Sequence, residues 1–267
     1  MTELKKLAVA CSAALAMAAL EAGAATGQQP VTQINVYEGA AAPAAAEPAA
    51  AATEEEGDHS FSANVAILNN YMFRGISQTD NGPAIQGGFD YTYNPLNLYL
   101  GVWGSNVDSE GYDGASMEID VYGGWRPTFG SLTLDLGVLG YLYPNTDNVD
   151  LDTVEYKAGA TYDFGVVAPG LTVYYSPDWF NADDAWRYEL SASIPLPADF
   201  KLVAKYGWND FDTLKDYDDW SVGVTKDVLG VTLGLSYTDV VDLDSDTDCV
   251  APFKCDGEVV FSISKTF

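Results

Sequence analysis

The 267-residue chain is long enough for one large β domain or two average ones, and 13% aromatic residues is more than a disordered polymer carries. Its 39 acids against 12 bases give a formal charge of −27, which argues against nucleic acid, itself a polyanion, as a partner. The same acids read two ways, as an attraction for cations or as a solvated surface that resists aggregation.

Residues 1–25 have the pattern of a secretory signal: Lys5 and Lys6, an apolar run from Leu7 to Leu20, then Ala22-Gly23-Ala24 as a cleavage region. No later segment holds the roughly 20 apolar residues that a membrane-spanning helix needs, so any crossing must be made by strands. Residues 26–60 turn to Ala, Pro, Glu and Gln, with Glu54-Glu55-Glu56 near the end, a composition expected to stay disordered on the periplasmic side; a short docking element at Val31 to Tyr37 is the other reading.

From Phe61 the dominant period is two, and residues 61–267 are expected to form one all-β domain. Phe61, Ala63, Val65, Ile67, Asn69, Tyr71 and Phe73 alternate with Ser62, Asn64, Asn70 and Arg74, which places the two sets on opposite faces of a strand. The same alternation runs through Leu132–Val138, Val154–Phe164, Trp186–Ile194 and Val231–Tyr237. About twelve strands are predicted, near 61–74, 83–93, 96–105, 116–127, 131–143, 153–164, 170–180, 185–195, 200–210, 217–228, 231–239 and 258–267. Most hold about 10 residues, the length of a tilted strand crossing hydrocarbon.

The connections alternate between tight turns, such as Asn94-Pro95, Pro197–Asp199 and Leu229-Gly230, and longer acidic loops, such as Asn106–Ala115, Pro144–Asp152 and Val240–Gly257. Short turns on one rim and long loops on the other is the layout of a closed antiparallel transmembrane β-barrel, here an up-and-down meander. Alternation alone leaves open which face is wet, since a soluble barrel alternates too. Aromatics at strand ends (Tyr91, Tyr93, Trp125, Phe129, Tyr162, Phe164, Trp179, Trp208 and Phe211) favour lipid, as rings collect at the two headgroup levels. The last strand carries Phe261, Ile263 and a terminal Phe267, a pattern similar to the signal read by the outer-membrane insertion machinery, interrupted by Lys265. With strands ~4.8 Å apart and tilted ~40°, twelve give a backbone diameter of roughly 24 Å and a lumen of at most about 10 Å.

The polar face supplies the candidate lumen residues Glu118, Asp120, Asp135, Glu155, Lys157, Arg187, Glu189, Lys201 and Lys205. They form either a transverse field across a pore or a salt-bridged plug. Arg74 is expected at the outer end of the first strand, where its guanidinium holds a constricting loop, contacts an anionic solute, or pairs with a loop acid on the rim. Cys249 and Cys255, close in sequence in an exported chain, read as a disulfide or as free thiols. Asp242, Asp244, Asp246 and Asp248 resemble the start of a calcium loop, but Thr247 and Phe253 replace its Gly and Glu; weak cation binding and a merely solvated acidic loop are the two readings. No other feature calls for a metal or cofactor. The single histidine, His59, is expected in the linker, which leaves the barrel without the general base that outer-membrane hydrolases use and argues against an enzyme.

At Asn69–Tyr91 the chain reads NNYMFRGISQTDNGPAIQGGFDY, followed by Gly101-Val102-Trp103-Gly104-Ser105-Asn106. These stretches resemble the TorF family of porin-like proteins, also called the Gcw family of conserved hypothetical bacterial proteins, over roughly Phe61 to Phe267. The resemblance implies an outer-membrane location and a channel for small hydrophilic solutes or ions, with outer-membrane lipid and the insertion machinery as partners. A non-conducting structural or surface-binding barrel is the alternative.

Overall fold

A computed structural model of the chain describes residues 57–249 and 253–267, so the expected signal and most of the Ala/Pro/Glu segment lie outside the described residues. Twelve long strands dominate: β1 (His59–Leu68), β2 (Ala84–Tyr93), β3 (Leu98–Asn106), β4 (Met117–Trp125), β5 (Leu132–Leu142), β6 (Thr153–Tyr162), β7 (Ala168–Ser176), β8 (Ala185–Leu196), β9 (Phe200–Phe211), β10 (Tyr217–Val228), β11 (Val231–Val241) and β12 (Glu258–Thr266). Each pairs antiparallel with the next, and β12 pairs with β1 through Ile67 opposite Ile263, so the meander closes on itself. Closure matters physically, because an unpaired edge would leave a row of backbone N–H and C=O groups without partners in a solvent that offers none. No α-helix occurs among the described residues.

Local chemistry explains the tight rim. Leu229 and Gly230 both have positive φ (54° and 79°) between paired Val228 and Val231, the two-residue turn whose twist matches that of the strands. Asp163 accepts the Gly165 amide at 2.6 Å and so turns the chain between β6 and β7. The start of β1 and the C-terminal residue Phe267 lie at this same rim, where the Phe267 amide donates to the Ala63 carbonyl at 2.8 Å.

The strand faces differ in kind. Outward run Phe61, Ile67, Phe89, Leu100, Phe261 and Ile263, with Phe61 78% and Phe89 68% exposed. Inward run Glu118, Glu155, Arg187 and Glu189, none more than 3% exposed, together with Gln86, Ser105, Ser193, Thr232, Ser236 and Ser262. A contiguous apolar belt of this kind is not stable against water, whereas against hydrocarbon it is the low-energy surface.

Three expectations are corrected. The first strand ends at Leu68, not Arg74: Leu68 is the last residue paired with both neighbours, opposite Ala84 and Ser262, and the chain then turns into the barrel. His59 opens β1 rather than ending a linker, its Nδ1 lying 2.8 Å from the Tyr91 hydroxyl. Trp179 and Phe211 do not join the outer ring belt; Trp179 is buried in the interior aromatic cluster and Phe211 packs on it.

Ile263 is mid-strand on the outer face, in register with Ile67 and Leu233. Ile263→Arg is expected to lower folding free energy in lipid vesicles by about 2–4 kcal/mol, read from the denaturant midpoint. A change within error would remove this face from the hydrocarbon.

Candidate functional site: a hairpin held across the barrel interior

Residues 69–83 leave β1 and fold inward as a small hairpin, Met72–Phe73 pairing with Ile76–Ser77. Its turn is Arg74-Gly75, both at positive φ (50° and 79°), a two-residue turn that glycine adopts freely and arginine does not. Gly75 is needed twice: a Cβ there would also lie 2.5 Å from Val240 Cγ1 and 3.2 Å from Asp219 Cβ, on the β10–β11 wall. Asn70 and Thr79 shape the hairpin base, the Ser77 hydroxyl donating to Asn70 Oδ1 at 2.8 Å and the Thr79 hydroxyl to the Gly82 carbonyl at 2.7 Å.

The hairpin is fastened to the wall nearly opposite its root. Arg74 Nη2 donates to both carboxylate oxygens of Glu155 on β6, at 2.8 Å each, and Tyr141 donates its hydroxyl to the same carboxylate at 2.9 Å. The guanidinium lies over the rings of Trp179 (4.7 Å), Phe73 (4.8 Å) and Tyr174 (5.5 Å). An ion pair buried this deeply is favourable only because the carboxylate has further donors and the guanidinium has ring faces. Nearer the root, the Tyr71 hydroxyl donates to Glu118 at 3.0 Å and its ring meets Trp103 edge to face. Loop contacts complete the hold: the Ser77 amide to the Lys254 carbonyl at 2.7 Å, the Asp108 amide to the Gln78 carbonyl at 2.8 Å, and Lys254 to Asp80 at 2.7 Å.

Two further polar groups line the wall. Arg187 on β8 bridges Glu189 at 2.9 Å and Asp219, with Asn209 accepting from it at 2.8 Å; Lys205 reaches Glu189 at 3.4 Å. Gly207 makes room for this guanidinium, since a Cβ there would overlap it. Nearer the turn rim, Asp135 gathers Arg126 and Lys157, each at 2.9 Å, and the Tyr99 hydroxyl at 2.8 Å. Lys201 lies on the inward parity of β9 close to the turns, half-buried.

The structure therefore brings the expected charges together locally. Arg74 with Glu155, Arg187 with Glu189, and Lys157 with Asp135 are neighbours rather than opposed rows, while Glu118 and Asp120 share one face of β4. Tyr71, Tyr141, Trp179, Asn209 and Asp219 belong to the site and escaped the sequence reading. The usable signal was the Arg74-Gly75 pair, a turn-forming dipeptide inside what otherwise reads as continuing strand.

At the loop rim, Cys249 and Cys255 are joined as a disulfide with Cα atoms 5.7 Å apart. The alternating aspartates do not converge: Asp244 accepts the amides of Asp246 and Thr247, and Asp248 accepts the Asp244 amide and pairs with Lys215 at 2.5 Å. Lys215 holds the Asp248 carboxyl below its ordinary range, and the Asn148 side chain does the same for Asp113. Both contacts therefore stabilise the rim above the ordinary carboxylate range and are lost as pH falls through the depressed values.

A closed, polar-lined twelve-strand barrel with long loops on one rim defines the porin class of fold. Two solved porins share it: the NanC porin (TM-score 0.52, 8% identity, covering 78% of this chain and 98% of that one) and the KdgM porin in complex with disordered oligogalacturonate (TM-score 0.51, 5% identity, 78% and 97%). No curated protein matches the sequence. The sequence profile of the Gcw_chp family, described as a bacterial protein of unknown function, matches residues 52–267, and the chain belongs to that family. That description carries neither the TorF name nor an activity.

Arg74→Ala leaves the Glu155 carboxylate buried without its cation and is expected to cost about 3–5 kcal/mol in an equilibrium unfolding curve; a loss below ~1 kcal/mol would mean that the pair does not hold the hairpin. Carboxyl carbon shifts of Asp113 and Asp248, followed through acid titration by NMR, should give midpoints below the ordinary value of about 3.9. Midpoints at or above that value would contradict the rim contacts.

Proposed function

We propose that this barrel is an outer-membrane porin-like channel, as the TorF resemblance implies, passing small hydrophilic solutes and ions between its acidic loop rim and its turn rim. The observation that carries the reading is the pairing of an outward apolar belt with an inward face of Ser, Thr, Gly and charged side chains. Hydrocarbon outside and water inside is the arrangement in which both faces are at low free energy.

The sign of the preferred solute follows from charge. The loops carry Asp80, Asp108, Asp113, Asp147, Asp150, Asp184 and Asp242 through Asp248, while Lys215 and Lys254 are each paired with an aspartate. A low-dielectric wall focuses this field, so cations are enriched at the mouth. Oligogalacturonate, the polyanion in complex with the KdgM porin, is a poor electrostatic match for such an entrance.

A second reading is favoured by one feature, the hairpin with its buried Tyr71, Met72 and Arg74. Held across the interior, it would make a closed barrel whose loops bind a surface partner. Conductance in a planar bilayer separates the two. The channel reading expects discrete ohmic steps from refolded protein, a several-fold larger step from Arg74→Ala, and a reversal potential in a salt gradient that favours cations. Neutralising Asp242, Asp244, Asp246 and Asp248 should reduce that preference. Silence from both proteins, each shown to be folded by its gel mobility without boiling, would contradict the channel and leave the closed barrel.

A further inference from the structure

Glu118 and Asp120 are two residues apart on β4, so both point inward from one strand face. In the barrel register Asp120 is flanked by Trp103 on β3 and Tyr141 on β5, and Glu118 by Ser105. Side by side on that face, the two carboxyls feel each other's charge. Glu118 also accepts from Tyr71, whereas Asp120, only 8% exposed, has a buried Oδ1 that meets no hydrogen-bond partner among the described residues. The hairpin's guanidinium, that of Arg74, is committed to both oxygens of Glu155. Two adjoining carboxyls of which one has an unanswered oxygen are costly in a low-dielectric wall unless a cation, or a proton held between them, joins them.

We infer that Glu118 and Asp120, walled by Trp103, Tyr141 and Tyr71, form an interior binding site for a guanidinium-type organic cation. Arg74 already displays the required chemistry a short way along the same wall: its guanidinium lies against a carboxylate with Trp179 and Phe73 over its faces. The Glu118–Asp120 site offers the same parts, planar acceptors for a forked donor and aromatic faces for its π surface. A divalent metal fits less well, because it asks for more oxygen ligands than two carboxyls supply, and no group of three or more acidic, His or Cys residues able to hold a metal ion occurs among the described residues. Guanidinium is also more weakly hydrated than ammonium or the alkali cations, so it gives up less water on entering. The inference rests on the reading that solutes reach the barrel interior, and it names the class of cation that the interior retains.

Calorimetric titration of the refolded full chain in detergent with methylguanidinium, and with the neutral isostere methylurea, tests it. Saturable heat is expected for methylguanidinium and none for methylurea. Glu118→Gln/Asp120→Asn should weaken binding at least ~10-fold, the loss of a charge-assisted hydrogen bond, while Asp199→Asn in the exposed turn between β8 and β9 leaves it unchanged. Asp120→Asn alone keeps the Tyr71–Glu118 bond and is the gentler variant if the double one fails to fold; it should weaken binding several-fold. The inference is overturned if the wild-type barrel shows no saturable heat, if methylurea binds as well, or if a folded Asp120→Asn protein binds as the parent does, as it would where the two carboxyls simply share a proton. Binding is read without conduction, so a silent barrel that binds methylguanidinium would remove the channel and keep the site, and a conducting barrel that does not bind would do the reverse.

Discussion

The whole arrangement depends on backbone hydrogen bonds that have no partner but one another. A strand in hydrocarbon must pair on both sides, so β12 must meet β1, the sheet must close, and the side chains must divide between an outer and an inner surface. Everything else is a consequence of that division. The outer surface can be apolar because nothing polar has to be solvated there, and the inner surface must be polar because twelve strands enclose more room than side chains of alternate residues fill.

Charges that the division sends inward are then matched in place. Arg187 meets Glu189 and Asp219, and Asp135 meets Arg126, Lys157 and Tyr99, each group gathered within a few neighbouring strands of the wall. The Arg74–Glu155 pair is different because it joins a loop-borne residue to the far wall. A positive-φ arginine beside a glycine that cannot gain a Cβ without striking Val240 is a strained arrangement, and the buried bidentate contact with Glu155 is what offsets the strain. The hairpin therefore links the acidic loop rim to the interior chemistry, and any account of passage through the barrel has to pass beside it.

Much of the fold was legible because period-two alternation depends only on local identity. Leu132, Leu134, Leu136 and Val138 announce an outward face whatever surrounds them, and Leu229-Gly230 announces a tight turn. Inward placement of Glu118, Glu155, Arg187 and Glu189 followed from the same parity. What parity cannot tell is where a strand stops being paired. Asn69 to Arg74 continues a plausible alternation, yet leaves the ladder at Leu68, and so the hairpin and its partners Tyr141 and Trp179 stayed hidden. Trp179 and Phe211 were misplaced for a related reason: a ring at a strand end fits a headgroup belt or an interior cluster equally well until the loop above it is known to fold inward. The pairing of charges into neighbours rather than opposed rows depends on inter-strand register, which a single sequence does not specify.

Collision of spin labels with oxygen and with a water-soluble nickel complex, placed one at a time along β12 in the refolded, lipid-embedded barrel, tests the division of faces most directly. Labels at 259, 261 and 263 should collide with oxygen dissolved in the hydrocarbon and be shielded from nickel, while labels at 262 and 264 should show the opposite, alternating residue by residue. Equal accessibility along the strand, or alternation with the two sets exchanged, would contradict an apolar exterior around a polar interior.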